Sequence, residues 1–181
     1  SAFESLLGLL SFALATGLLY GRFSRPQACL RFSRLAVVAP YQGLQAFMLR
    51  LVNLRSSQLI EVEATLSLSL TEPGTDTRRF LILPLERAKI HLFPSSWTLV
   101  HPIDETSPLH QFTEADLRAG RAEFIVLIKA FDDTFSQTIY ARTSYTSEEV
   151  LWGTRFVPMT GPGRDGVLEM DVSRIDSTVP V

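Results

Sequence analysis

The chain of 181 residues has a formal net charge of -2 at pH 7, and 46% of its residues are hydrophobic. It lacks the strongly basic field that marks most nucleic-acid-binding domains, so no nucleic acid is expected as a partner. The single cysteine, Cys29, excludes an intrachain disulfide and a cysteine-cluster metal site. The length suits one apolar helix followed by one domain of about 150 residues.

Residues 1–26 predict a membrane-spanning helix and its exit from the membrane. No charge interrupts Leu6–Gly21, which as an α-helix covers about 24 Å, a little less than a hydrocarbon core of about 30 Å. Arg22 and Arg25 follow directly, as is typical of the cytoplasmic end of a span, and Pro26 ends the helix because it has no N–H. The alternatives are a signal peptide, which would carry its positive charge before the apolar run, and a buried core helix.

Residues 27–34 are interpreted as a linker, and residues 35–181 as a domain built from strands. In Leu59–Leu70 apolar residues alternate with Glu, Thr and Ser, which predicts a strand with one buried and one wet face in an antiparallel sheet. Thr113 and Gly120 have the spacing and type of caps around a short helix. Further strands are predicted over Leu35–Ala39, Leu44–Leu54, Arg78–Leu85, Trp97–His101, Phe124–Phe131, Thr134–Ser144, Val150–Val157 and Val167–Val172.

These short strands, with no βαβ alternation, predict a mainly β fold. The expected architecture is an immunoglobulin-like β-sandwich preceded by one transmembrane helix.

No pattern of an enzyme is present. The sequence contains no phosphate-binding, dinucleotide-binding or nucleophile-elbow motif. Asp132 and Asp133 are adjacent, so in a strand they point to opposite faces and cannot act as a carboxylate pair. Histidines and carboxylates also occur close together at His101, Asp104, Glu105 and His110. Their spacing matches no established metal-ligand pattern, and we interpret this mixed cluster as a polar loop. Neither a catalytic residue nor a metal or cofactor is therefore expected.

Four phrases in chain order resemble the inward-rectifier potassium channels of prokaryotes. They are GLLYGRFSRP, RLVNLRSSQLIEVEATLSL, SWTLVHPIDETSPLHQFTEADL and YARTSYTSEEVLWGTRFVPM. The resemblance implies a homotetrameric channel with potassium as its permeant ion and an immunoglobulin-like cytoplasmic domain that extends the pore inward. The family's T-x-G-Y-G filter, whose carbonyl rings select potassium, does not occur in this sequence. The implied function is therefore that of a parent protein, of which these residues supply gate, linker and cytoplasmic pore.

The same resemblance assigns roles on the apolar helix. Phe12, Thr16 and Tyr20 would line the pore, with Tyr20 forming the gate at the helix crossing; the alternative is an interfacial anchor that faces lipid headgroups. Gly8 and Gly17 match the family's hinge positions, although small residues also serve close helix packing. Phe12 stands where strongly rectifying relatives carry an acidic residue, so tight polyamine block inside the membrane is not expected.

Two further sites follow from the resemblance. Arg22 and Arg25 match a basic pair that meets anionic phosphoinositide, expected here to be inhibitory; the alternative is the ordinary excess of positive charge on the cytoplasmic side. A loop of five residues would narrow the cytoplasmic pore, or else be an ordinary hairpin tip: Asp132, Asp133, Thr134, Phe135 and Ser136.

The implied location is the bacterial inner membrane, with the C-terminal domain in the cytoplasm. A second hypothesis is a membrane-anchored β-sandwich adaptor that binds a protein partner.

Overall fold

A computed structural model describes residues 2–23, 29–55, 57–72, 74–163 and 166–181 of the chain. Helix α1 spans Ala2–Phe23, and among the described residues it is the one helix long and apolar enough to cross a membrane. None of Ala2–Leu19 is buried against the rest of the chain. Because apolar surface of this extent is unfavourable in water, α1 needs cover from outside its own chain.

The first sheet is organised around its longest strand, β3. Its strands are β1 (Leu30–Phe32), β2 (Ala36–Tyr41), β3 (Leu44–Asn53), β7 (Ser96–Ile103) and β10 (Val150–Trp152). Strand β3 pairs antiparallel with β7 along one edge and with β2 and β1 along the other, and β10 adds to β2 in parallel. Gln42 and Gly43 both have positive φ, which gives the β2–β3 hairpin the two-residue turn that matches strand twist.

The second sheet has the order β5-β4-β8-β9, with β6 pairing the first part of β4. Its strands are β4 (Leu59–Thr71), β5 (Arg78–Leu83), β6 (Lys89–Leu92), β8 (Glu123–Asp132) and β9 (Gln137–Thr146). All of its pairs are antiparallel. The β4–β8 register shifts between Ile60 and Glu63, where Glu61 has φ of 47°, so a bulge bends β4 near the β8–β9 hairpin.

Shorter elements close the ends of the two sheets. Helix α2 (Glu114–Ala119) follows its N-cap Thr113, which forms a reciprocal capping box with Asp116. Two small antiparallel pairs join β11 to β14 and β12 to β13. Their bounds are β11 (Thr154–Phe156), β12 (Thr160–Pro162), β13 (Leu168–Met170) and β14 (Thr178–Pro180), with a 3-10 helix over Val172–Asp176 before β14.

The core lies between the two sheets. Phe47 of β3 stacks on Phe124 of β8 with ring centroids 4.4 Å apart, and both side chains are fully buried. Five alternating side chains of β4 join the same core: Val62, Ala64, Leu66, Leu68 and Leu70. The predicted β-sandwich with one N-terminal apolar helix is therefore confirmed, as is the alternation of β4, although Ser69 on the opposite face is also buried.

Several predicted strand limits were wrong for local reasons. Pro40 was expected to end a strand but lies inside β2. A proline has no N–H to donate to a neighbouring strand, and it is tolerated here because β10 pairs only with Ala36–Val38 and does not extend to Pro40. The single strand predicted over Val150–Val157 is divided at Gly153, whose φ is positive. Strand β6 has four residues and was not predicted. The described residues contain fourteen strands, many of them too short for a periodic signal.

Candidate functional site

The predicted pore-lining face lies on α1, which includes positions 12, 16 and 20. The Phe12 side chain is 75% exposed, and the Thr16 hydroxyl donates to the Phe12 carbonyl at 2.8 Å. Since residues four apart share a helix face, these positions form one stripe. The side chains of Tyr20 and Arg22, and all of Arg25, lie outside the described residues.

Gly8 and Gly17 lie within α1 in open space. Apart from the backbone of its own helix turn and its chain neighbours, a Cβ atom at either position would meet no described atom within 4 Å, so packing within the described part of the chain does not require glycine there. Because glycine has no side chain, a neighbouring helix can approach the surface of α1 closely at both positions. Their assignment as hinges stays a prediction.

The β8–β9 hairpin turn is held by Asp132. This carboxylate is 2% exposed and accepts hydrogen bonds from the backbone N–H groups of Thr134 at 3.0 Å and Phe135 at 3.2 Å, while the Ser57 hydroxyl donates to its other oxygen at 3.3 Å. Asp133 is exposed, and its N–H donates to the Gln58 carbonyl at 3.2 Å. Of the two aspartates, Asp132 therefore shapes the turn, and Asp133 carries the charge that faces water.

The rest of the turn is presented to solvent. Thr134, Phe135 and Ser136 are exposed, and the guanidinium of Arg55 lies 5.9 Å from the centroid of the Phe135 ring. Ser136 has φ of 50°, a left-handed conformation that tight turns demand. The turn thus offers one carboxylate, one aromatic ring and two hydroxyls at the end of the second sheet.

A charge cluster that sequence reasoning missed lies beside this turn, on the outer face of β4, β6 and β8. Lys89 Nζ is 3.2 Å from carboxylate oxygens of both Glu61 and Glu63, and Lys129 Nζ is 3.7 Å from Glu63. Nδ1 of His91 lies 2.9 Å from Glu61. Hydrogen bonds from His91 and Lys89 lower the pKa of Glu61, and those to Glu61 and Glu63 raise the pKa of Lys89.

This outer-face charge cluster contains two carboxylates, two ammonium groups and one histidine. The alternation of β4 predicted that its glutamates share one face, but Lys89 and His91 could not be placed because β6 carried no periodic signal. The cluster is balanced in charge when His91 is neutral.

The loop that suggested a mixed metal cluster has a different organisation. His101 is 2% exposed, and its Nδ1 donates to the Pro84 carbonyl at 2.6 Å, because a carbonyl can only accept. In the neutral ring Nε2 then accepts from the Ser107 hydroxyl, 2.7 Å away. Asp104 instead accepts from the N–H groups of Thr106 and Ser107. In the described part of the chain, no group of three or more His, Cys, Asp or Glu could hold a metal ion.

Comparison with known proteins identifies the family. The family model for the inward rectifier potassium channel C-terminal domain matches residues 30–181. The chain is 37% identical over 174 residues to the inward rectifier potassium channel Kirbac3.1 of Paramagnetospirillum magnetotacticum, covering 94% of this chain and 59% of that protein. It is 30% identical over 192 residues to the G protein-activated inward rectifier potassium channel 1 of Bos taurus, covering 99% of this chain and 38% of that one.

A third relative is the ATP-sensitive inward rectifier potassium channel 15 of Mus musculus, 30% identical over 89% of this chain and 46% of its own length. The chain thus spans less than two thirds of each of these relatives, all of which are ion channels by name. The order of the four quoted motifs, the β-sandwich and the family match agree with one another. The chain therefore belongs to the inward rectifier potassium channel family, whose C-terminal domain it carries over residues 30–181.

Proposed function

We propose that this chain forms the gate, the linker and the cytoplasmic ion pathway of an inward-rectifier-type potassium channel that acts as a homotetramer. In this proposal residues 1–26 are the inner helix and its exit, residues 27–34 the linker and residues 35–181 the cytoplasmic domain. The observation that carries the proposal is an apolar helix, with nothing buried between Ala2 and Leu19, that precedes the family's C-terminal domain.

The exposure of α1 supports assembly. One helix cannot enclose a water-filled path, whereas several copies around an axis would cover part of each apolar surface and leave lipid to cover the rest. Potassium is the permeant species of the proposed assembly. Its selection would require rings of backbone carbonyls, which the full-length protein must supply from residues outside this sequence.

At the membrane end, we assign the constriction to Tyr20, on the helix stripe of Phe12 and Thr16. Four aromatic rings at a helix crossing would exclude a hydrated ion, since hydrophobic constrictions gate by dewetting. Gly8 and Gly17 would supply the bend or the close contact that lets the crossing open.

Arg22 and Arg25 would contact anionic phosphoinositide at the cytoplasmic leaflet, and the lipid would inhibit the channel. Two arginines directly after an apolar helix support both this contact and a cytoplasmic C-terminal domain, because positive charge accumulates on that side of bacterial inner membranes.

On the cytoplasmic side, the turn of Asp133, Thr134, Phe135 and Ser136 would narrow the path, with Asp133 attracting cations. The outer-face charge cluster adjoins this turn. Since the other face of the second sheet is filled by the core, only the outer face can border water, and the cluster would line the path just below the turn. Its balanced charge favours weak rather than tight binding of cations there.

The test is assembly and conduction of the full-length protein. We expect native mass spectrometry in detergent to give four chains, and liposomes containing the protein to take up rubidium. A monomer or dimer in several detergents, with no uptake, would contradict the proposal and favour the adaptor hypothesis.

A further inference from the structure

The described part of the linker is bound to the C-terminal segment through Asp176. Its carboxylate accepts from the N–H of Arg34 at 2.7 Å and from the Arg34 guanidinium at 3.1 Å, and the Arg31 guanidinium donates to it at 3.1 Å. The Asp176 side chain is 16% exposed, compared with 83% for Arg34 and 42% for Arg31. A carboxylate with two guanidinium partners and one backbone donor is a strong, charge-assisted contact.

Asp176 lies on a segment that is held by buried contacts. It ends the 3-10 helix Val172–Asp176, whose Ile175 is completely buried in a small second core with Val52 and Met159. Burial alone would raise the pKa of Asp176, but the hydrogen bonds from Arg34 and Arg31 outweigh it and lower the pKa. The residue therefore remains ionised at neutral pH and holds its position relative to β3.

A second anchor of the same region is of a different kind. The Tyr145 hydroxyl donates to the Ser33 carbonyl at 2.7 Å, the Ser33 N–H donates to the Arg50 carbonyl at 2.8 Å and the Arg50 N–H donates to the Ser33 hydroxyl at 3.1 Å. Burial raises the pKa of Tyr145 to about 12, so this hydroxyl stays a donor. The hydrogen bonds of Ser33 are formed between buried or partly buried neutral groups. The contact of Asp176 is instead ionic, and its two arginines are exposed to water.

Only six positions, 24–29, separate the end of α1 from the start of β1. A stretch of six residues cannot reach farther than about 20 Å even when fully extended. The start of β1 and the end of α1 therefore stay within this distance of each other.

We propose that Asp176 is a positioning residue for the gate: its contact with Arg31 and Arg34 fixes the direction in which the linker leaves the domain. Through this contact the C-terminal segment shifts the equilibrium between the open and closed states of the gate. This inference rests on the proposed channel function.

The structural arm of the test uses this chain itself in detergent or lipid. Cys29 is the only cysteine in the sequence and is exposed, and its carbonyl accepts from the Leu54 N–H at 3.0 Å at the end of the β1–β3 ladder. A nitroxide on Cys29 therefore reports the mobility of the linker at its attachment to the domain.

We expect Asp176→Asn to increase the mobility of this nitroxide, and Asp176→Glu to restore most of the order by restoring the charge. The matched control is Asp171→Asn, which makes the same change at the N-cap of the same 3-10 helix. The Asp171 carboxylate accepts from the Ser173 N–H and pairs with Arg174, and the described contacts do not join it to Arg31 or Arg34. Equal mobility in all variants would overturn the proposal. So would an equal increase in both asparagine variants, because that result would mean general loosening of the segment.

The functional arm uses the full-length channel in liposomes. Rubidium uptake should differ between Asp176→Asn and the parent by at least about twofold, the lower end of coupling energies along packed networks. The difference should disappear when Tyr20→Ala has already widened the crossing, since the effect acts through the gate. An unchanged uptake, or an equal change in both backgrounds, would contradict a positioning role. If the parent itself does not conduct, the channel proposal fails, but the nitroxide result still decides whether the contact orders the linker.

Discussion

Thr16 illustrates how a polar side chain is accommodated on an otherwise apolar helix. Its hydroxyl donates to the Phe12 carbonyl one turn earlier, so it needs no partner outside the helix. The same stripe can therefore face an apolar constriction or a water-filled path without leaving an unsatisfied donor. Tyr20, one turn further on, is the bulkiest polar residue of the stripe and the one next to the arginines.

The prediction at this scale concerns Tyr20→Ala. Removing four rings from a narrow crossing should abolish the dewetting barrier, so resting rubidium uptake by the full-length channel should rise about tenfold, which corresponds to a barrier lowered by about 1.4 kcal/mol. Alanine is the best helix former, so α1 should remain intact.

The control is Leu19→Ala, which truncates the preceding residue on a different helix face and should leave uptake near the parent level. The oligomeric state must be measured in the same preparations. If Tyr20→Ala remains tetrameric with unchanged uptake, the constriction lies elsewhere, at Phe12 or in the β8–β9 turn.

At the scale of elements, α1 is an apolar helix of which the described residues bury nothing between Ala2 and Leu19. Helix α2 shows the opposite case: its capping box satisfies the N-terminal donors, and Leu117 anchors it in the core. In the proposed channel α1 would lie in lipid, so we expect lipid at its cytoplasmic end to act on it directly.

We therefore predict that replacing Arg22 and Arg25 together by glutamine weakens phosphoinositide inhibition of the full-length channel. Each basic residue near an anionic leaflet contributes about 1 kcal/mol, so the inhibitory lipid concentration should rise by roughly tenfold or more. The measurement is rubidium uptake into liposomes of graded phosphoinositide content.

A matched control replaces Arg118 and Arg121, near the end of α2, by glutamine and so removes the same amount of charge. That variant should keep the inhibition of the parent. Unchanged lipid sensitivity in the Arg22 and Arg25 variant would remove these residues from the lipid site.

For the molecule as a whole, stability should depend on pH through His101. Burial lowers the pKa of this histidine, and the opposing effects of the Pro84 carbonyl and Asp104 are smaller. The unfolded chain, with a histidine pKa of about 6.5, therefore binds the proton more readily than the folded chain. The contribution of His101 to the free energy of unfolding is fully present above about pH 6.5. It falls as the pH decreases towards the pKa of His101 in the folded chain, by at most about 1.4 kcal/mol per pH unit.

Urea unfolding between pH 7.5 and pH 5.5 measures this slope. The fluorescence probe is the two tryptophans of the chain, of which Trp97 is almost fully buried. A variant with both His91→Gln and His110→Gln should keep the slope, since His101 is then the only histidine. Loss of the slope in that variant would assign the pH dependence to the exposed histidines instead.

What the sequence determined by itself was local. The apolar run of α1, the alternation of Val62 to Leu70 and the caps Thr113 and Gly120 are patterns of neighbouring residues, and each formed as predicted. The quoted motifs also identified the family, which the match over residues 30–181 confirms. The residue roles drawn from that resemblance stay predictions.

The tertiary structure alone decided which distant residues meet. Asp176 contacts Arg31 across 145 positions of the chain, Lys89 joins Glu61 and Glu63 only because β6 pairs with β4, and the burial of Asp132 follows from the turn that encloses it. None of these contacts has a periodic signal in sequence, because short strands and single ion pairs are fixed by sheet register and packing, not by the propensity of their own residues.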